Sequence, residues 1–260
     1  MAKRFTATII CGAALGLFLA ASGVSPAAAR RATCFAKRPT IVGTPGDDRI
    51  RGTSGADIIA ARGGNDVVRG RGEKDEICGG SGKDEIVGGT VRDLLRGGPG
   101  ADGINGGDGN DEILSWRGAD RLIGGDGVDE LRSCAGSDRI GGRRGNAGRD
   151  LVHGGAGIDA IHGGPNGGVE FLDGGAGADV IFGDGGRDRI EGDESNDRVL
   201  AGGGDDELFG NLGDDRLSGG LGNDRLDGGD GNDSCDEGPG TGSVVSCENV
   251  SMARTTRPFG

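Results

Sequence analysis

The sequence predicts an all-β chain, a parallel solenoid with two short strands in each 18-residue coil. Three observations carry that expectation. A nine-residue period runs from Gly43 to Asp236, an aliphatic residue keeps one place in that period, and the composition lacks the aromatics of an ordinary core. A short fixed period decides architecture first, because one repeat buries its apolar face only against the next.

The repeat reads G-G-x-G-x-D-x-U-x, with U a large aliphatic residue. Clear copies are GGSGKDEIV (79–87), GGDGNDEIL (106–114), GGDGVDELR (124–132) and GGLGNDRLD (219–227). The acid at position six falls at Asp48, Asp57, Asp66, Asp75, Asp84, Asp93, Asp102, Asp111, Asp120, Asp129 and Asp138 without a slip. It continues at Asp150, Asp159, Glu170, Asp179, Asp188, Asp197, Asp206, Asp215, Asp224 and Asp233. The step is nine except for twelve before Asp150 and eleven before Glu170. Two residues past each acid, the U column runs from Ile50 to Leu226 with only Ile, Leu and Val, and closes on Cys235. A disordered Gly/Asp-rich polymer has no reason to keep that column clean.

Each x-U-x triplet alternates polar and apolar, which is the period of a strand with U inward. The six residues G-G-x-G-x-D read as the turn, with glycines supplying backbone shapes closed to other residues. Two repeats then make one coil, and stacked coils make two parallel sheets about 4.8 Å per strand. Acids eighteen residues apart, such as Asp84 and Asp102 or Asp111 and Asp129, land on one edge in adjacent coils. Two carboxylates that close repel by roughly 1 kcal/mol in water and more at lower dielectric.

A cation between them reverses the sign. Calcium takes six to eight oxygens and mixes carboxylates with backbone carbonyls, which Gly-rich turns expose. Magnesium demands a small strict octahedron and fits less well. Zinc is disfavoured because the two histidines, His153 and His162, lie one repeat apart and so fall on opposite sheets.

Composition narrows the partners. Formal net charge is −13, and the first 29 residues carry Lys3 and Arg4 and no acid. That excess of carboxylates argues against nucleic acid, which needs a basic patch, and favours cations. Residues 1–29 read as a secretory signal peptide. Lys3 and Arg4 precede a short apolar run over Ile9–Ala20, and Ala27-Ala28-Ala29 offers a small-residue cleavage site. The expected organisation is a signal peptide over 1–29, an N-terminal cap over 30–42, repeats over 43–236, and a C-terminal cap and tail over 237–260. No transmembrane segment is expected, and the mature chain is expected outside the cell, where calcium is millimolar and disulfides persist.

These motifs resemble the hemolysin-type (RTX) calcium-binding nonapeptide repeats. The resemblance covers about 43–236, and eight repeats keep all three glycines and the acid: those starting at Gly79, Gly97, Gly106, Gly124, Gly154, Gly174, Gly219 and Gly228. It implies a right-handed parallel β-roll whose position-six acids bind several calcium ions. The implied ligands are Asp48, Asp57, Asp66, Asp84, Asp102, Asp111, Asp129, Asp159, Asp179, Asp188, Asp206, Asp215, Asp224 and Asp233. Turns that lose glycines depart from the pattern: 70–75, 88–93, 115–120, 133–138 and 192–197, with 163–170 carrying Glu for Asp. Metal binding there is left open.

The reading favours a secreted calcium-binding structural or adhesive module with a cell-surface or matrix partner, and no enzyme. An RTX-type hydrolase or toxin-related protein is the alternative, but no G-x-S-x-G or H-E-x-x-H occurs. An ice-binding roll would show an outward Thr ladder, which the strands lack. Five cysteines follow the signal peptide. Cys78 and Cys134 lie about three coils apart, roughly 15 Å, too far for a disulfide. The expected pairs are Cys235–Cys247 and Cys34–Cys78, with Cys134 a free thiol.

Overall fold

The computed structural model describes residues 38–141, 149–164 and 168–252. Among them the chain is all-β, two 12-stranded parallel sheets that alternate strand by strand. The odd sheet holds β1 (Ile41–Val42), β3 (Ile58–Gly63), β5 (Glu76–Ser81), β7 (Leu94–Arg96), β9 (Glu112–Leu114), β11 (Glu130–Arg132), β13 (Leu151–Ala156), β15 (Phe171–Ala176), β17 (Arg189–Glu194), β19 (Glu207–Leu212), β21 (Arg225–Asp230) and β23 (Ser243–Val245). The even sheet holds β2 (Arg49–Arg51), β4 (Val67–Arg71), β6 (Glu85–Thr90), β8 (Gly103–Asp108), β10 (Arg121–Asp126), β12 (Arg139–Gly141), β14 (Ala160–His162), β16 (Val180–Gly185), β18 (Arg198–Gly203), β20 (Arg216–Leu221), β22 (Ser234–Gly238) and β24 (Asn249–Met252). Successive strands therefore change sheets, and each pairs with the strand one coil on. The signal-peptide expectation over 1–29 lies outside the described residues. No helix among them is long and apolar enough to cross a membrane.

Register follows the period. Ile59 sits opposite Ile77, and Leu208 opposite Leu226, eighteen residues on. The long spacings are absorbed in turns, so Leu131 still meets Val152 and Ile140 meets Ile161. Both long turns, before Asp150 and before Glu170, connect an even strand to an odd one.

The core is the U column from both sheets, Ile59 to Leu226, each residue at most 2% exposed. One aliphatic side chain per strand is a thin core, so its area returns only about 1.5–3 kcal/mol per residue. Packing at that thickness leaves no room for a second apolar layer, which explains the missing aromatics.

Most strands are longer than the three residues expected. β5 and β19 run six, continuing through the first three turn positions. Glycine there reads as a turn from side-chain statistics, but the ladder needs only backbone, and Gly80 N–H donates to the Gly97 carbonyl at 2.8 Å. Burial alternates along these strands so that both the U residue and the position-one residue face inward. The ladders also extend past the repeats, through β1 before Gly43 and through β23 and β24 after Asp236.

Cys235 and Cys247 form the expected disulfide, with Cα atoms 6.1 Å apart. The Cys34–Cys78 expectation falls on Cys34, outside the described residues. The free thiol at Cys134 is corrected. Cys78 and Cys134 are both disulfide-bonded, and no free cysteine occurs among the described residues. Cys134 is half-buried at position two of its turn, on the rim of the roll. The expectation gave Cys34 to Cys78 and weighed Cys134 only against cysteines of the stack, whereas its rim position leaves Cys134 partly exposed.

A core truncation tests the thin seam. Ile190→Ala removes a side chain with no exposure and should cost about 2–5 kcal/mol. Arg198→Ala on the exposed face should change stability by no more than about 0.5 kcal/mol. Thermal unfolding of both variants in saturating calcium measures the difference.

Candidate metal centre

The position-six acids form two columns, one on each edge where the chain passes between sheets. Asp48, Asp66, Asp84, Asp102, Asp120, Asp138, Asp159, Asp179, Asp197, Asp215 and Asp233 follow odd strands. Asp57, Asp75, Asp93, Asp111, Asp129, Asp150, Glu170, Asp188, Asp206 and Asp224 follow even strands. All but Asp48 are buried, at 6% exposure or less.

Backbone hydrogen bonds hold the columns. Along both columns an acid's N–H donates to Oδ1 of the acid one coil on: Asp66 to Asp84 at 2.9 Å, Asp111 to Asp129 at 2.8 Å, Asp197 to Asp215 at 2.7 Å. The column on the first edge ends at Glu248, whose Oε2 accepts from Asp233 N–H at 2.7 Å. A short side chain carrying two acceptors suits this slot, since one oxygen fixes the backbone and the other is left over.

The leftover oxygen is the informative one. From Asp66 onward, eighteen of these carboxylates keep a buried oxygen with no hydrogen-bond partner. Where position one is glycine, it points at that glycine; the turns of Asp66, Asp120, Asp138 and Asp206 have Ala61, Ser115, Ser133 and Ala201 there instead. A methyl group on Gly174 would sit 2.6 Å from Asp179 Oδ2 and 2.8 Å from the Gly192 carbonyl oxygen of the next coil. On Gly183 it would sit 2.6 Å from both Asp188 Oδ2 and the Ala201 carbonyl oxygen. A carboxylate oxygen and a carbonyl oxygen thus converge beside the position-one α-carbon. Buried polar atoms are ordinarily satisfied, so a periodic set of orphan oxygens calls for a cation.

The donor set fits calcium. Among the described residues no three His, Cys, Asp or Glu side chains converge as a metal cluster. A cation here would take carboxylates from the acid column and complete its shell with turn carbonyls, which is oxygen-only, hard-ion chemistry. His153 lies on β13 and His162 on β14, in opposite sheets as expected. His153 is engaged instead with Asp173, Nδ1 to Oδ2 at 2.7 Å.

Electrostatics agree with the geometry. Burial, helped by the neighbouring acids of the column, pushes the carboxyls up against the relief of the backbone N–H. Asp84 rises to about 6, Asp102 and Asp129 to about 7, and Asp197 to about 8. Glu170, buried and against Asp188, rises to about 9. Ser115 and Ser133 replace the position-one glycine, and their hydroxyls oppose the rise at Asp120 and Asp138.

The structure treats the expected ligands unequally. Asp48 and Asp57 have no orphan oxygen: Thr44 and Thr53 donate to their Oδ2 from N–H at 2.6 Å and from Oγ1 at 3.0 Å. The acids of glycine-poor turns occupy the same columns. Asp75, Asp93, Asp120, Asp138, Asp197 and Glu170 each keep a buried orphan oxygen. Losing a turn glycine does not displace the acid, because non-glycine residues take the left-handed backbone in several of these turns, Arg71 at φ 101° and Asp193 at φ 79° among them. Sequence reading also missed a position-five ladder. Asn65 Oδ1 accepts from Lys83 N–H, Asn196 Oδ1 from Asp214 N–H and Asp205 Oδ1 from Asn223 N–H, at 2.8–2.9 Å. The recurring Asn or Asp just before the acid was its signal.

These shifts set a pH dependence for the metal-free chain. A carboxyl raised in the folded state stabilises the fold when protonated, and that contribution is lost as pH rises through its folded value. The window runs from about 6 at Asp84 to about 8 at Asp197. In excess chelator, the circular dichroism signal of β structure should grow as pH falls from 8 to 5. A signal that is flat or shrinks over that range refutes the buried columns.

Comparison with curated proteins gives no match. The family model of the RTX calcium-binding nonapeptide repeat matches residues 41–77, 79–113, 117–146, 144–165, 166–199 and 200–235. Those segments cover most of the chain and the same turns that carry the orphan oxygens. The chain belongs to the RTX calcium-binding nonapeptide repeat family.

Proposed function

We propose that this calcium-binding repeat protein is secreted and that bound calcium drives its folding, leaving a non-catalytic structural or adhesive module outside the cell. One observation carries the reading: eighteen buried carboxylate oxygens without a partner, all in register along two edges. The thin core returns too little to bury so many acids, and calcium between coils offsets both their desolvation and their mutual repulsion. Export is supported by Lys3 and Arg4 ahead of the apolar run over 9–20, by Ala27-Ala28-Ala29, and by the disulfide of Cys235 with Cys247. Extracellular calcium is abundant enough to load modest sites. The cell-surface or matrix partner follows from that location.

The mature chain should be largely unfolded in chelator at pH 7.5 and gain β structure cooperatively with added calcium. Calcium titration followed by circular dichroism measures this, and full β signal without calcium defeats it.

Sites should also differ along the array. The turns 106–111 and 124–129 take the left-handed backbone at positions two and four, at Gly107, Gly109, Gly125 and Gly127, whereas 70–75 does so only at Arg71. Carbonyl direction follows from that backbone. Asp111→Ala should therefore raise the calcium midpoint roughly threefold more than Asp75→Ala, since site affinity follows ligand number and rigidity. Equal shifts would show that the acid column alone sets affinity.

A further inference from the structure

The two outer faces of the roll differ in a way the acid columns do not require. On the odd sheet, charges pair among themselves. Arg189 contacts Glu191 at 2.5 Å and Glu207 at 3.5 Å, and Arg132 contacts Glu130 at 2.5 Å. Arg189 and Arg225 also lie over the Phe209 ring, at 4.4 and 5.7 Å.

The even sheet carries exposed arginines with no such partners. Arg51 stacks on Arg69, Arg121 on Arg139 and Arg198 on Arg216, each pair in direct register on adjacent strands. All six are exposed. The ion pairs of the described residues include none of them. Like charges one strand apart, about 4.8 Å, repel unless an anion joins them. A protein of net charge −13 has thus placed unpaired cations in stacked pairs on one face.

Their spacing is regular. The pairs fall on β2/β4, β10/β12 and β18/β20, every fourth strand of the even sheet, or about 19 Å apart along the axis. Between the second and third pairs, His162 stacks on Phe182, with ring centroids 4.5 Å apart and planes 9° apart. His162 is exposed and Phe182 half-buried, so a flat apolar platform stands between cation pairs.

We propose that the outer face of the even sheet binds a linear acidic polysaccharide, one chain laid along the roll axis. The arginine pairs would take its carboxylate or sulfate groups, since guanidinium forks match such anions. The His162–Phe182 platform would take the apolar face of a sugar ring. Width selects the occupant. The two outward columns of the strip stand about 6.6 Å apart. Exposed acids flank it, Asp47 and Asp214 on one side and Asp108 and Asp126 on the other. A single sugar chain fits between those acids, whereas a nucleic-acid duplex or a bilayer would lie against them. A second copy of this chain is disfavoured because Glu130, Asp173, Glu191 and Glu207 of the odd face are already engaged within their own chain.

The proposal rests on the calcium-loaded roll, so folding is read separately by circular dichroism on the same samples. Dextran sulfate and neutral dextran share a backbone and differ in charge. In calcium, the protein should bind dextran sulfate, not neutral dextran, with affinity falling as salt screens the contacts. The quadruple variant Arg121→Gln, Arg139→Gln, Arg198→Gln, Arg216→Gln should keep the calcium-induced β signal and bind roughly tenfold or more weakly, at about twofold per exposed contact. The control Arg189→Gln, Arg225→Gln on the odd face should change binding less than about twofold. Unchanged affinity in the quadruple variant, with its β signal intact, overturns the proposal. So does binding of duplex DNA or phosphatidylserine vesicles as tight as that of dextran sulfate, or arginine-dependent self-association in sedimentation. A chain that shows no β signal in calcium instead overturns the calcium-driven fold.

Discussion

Everything in this molecule depends on one uncompensated interaction, a buried carboxylate in nearly every turn whose second oxygen has no donor. One oxygen of each acid is used by the backbone of the coil before it. The other meets a carbonyl oxygen across the α-carbon of a glycine, as Asp179 does beside Gly174. From Asp66 onward, the chain's own donors leave eighteen such oxygens unsatisfied. The glycines, the short strands and the single aliphatic column are the geometry that lets such oxygens be stacked at all. The charge that the fold lacks has to come from solution, as a proton at low pH or a divalent ion near neutrality.

Much of this was legible in the residues. The U column from Ile50 to Leu226 sets which side chains are buried, and its eighteen-residue register survives both insertions. The pairing of Cys235 with Cys247 followed from an inward position at the end of the seam. What was not legible had physical reasons. Gly79 to Ser81 looked like turn because strand propensity is a side-chain property, yet their backbone continues the ladder of β5. Glycine count also did not foretell turn shape, since Arg71 and Asp193 adopt the left-handed backbone in the turns of Asp75 and Asp197. Thr44 and Thr53 looked like ordinary turn residues, and only coordinates reveal that they satisfy their acids internally.

The division of charge between faces is a third layer of information written over the first two. Position six serves the columns and position eight serves the core. Positions seven and nine are free of both duties, and there the two sheets diverge. Because alternate repeats feed alternate sheets, Arg198 and Arg216 share a face while Glu207 between them lies on the other. A strict nine-residue repeat would make the faces alike, so the charges at positions seven and nine depart from it.

The hydrogen bond from each acid's N–H to the acid one coil on gives the roll a polarity that its repeating sequence hides. Within the acid columns each coil is completed by its successor, whereas the N–H that follows each acid donates back to the coil before, as Val67 does to the Asp48 carbonyl and Glu76 to the Asp57 carbonyl. Removing coils from the N-terminal end leaves the acid N–H groups capped. Removing them from the C-terminal end uncovers buried donors on the new last turn, and an unpaired buried N–H is among the costlier defects a backbone can carry. Glu248 ends this dependence on the first edge by capping Asp233 from a non-repeat segment, which the adjacent Cys235–Cys247 bond ties in place. The acid columns are therefore one-ended, chains of dependencies that run toward the final coil.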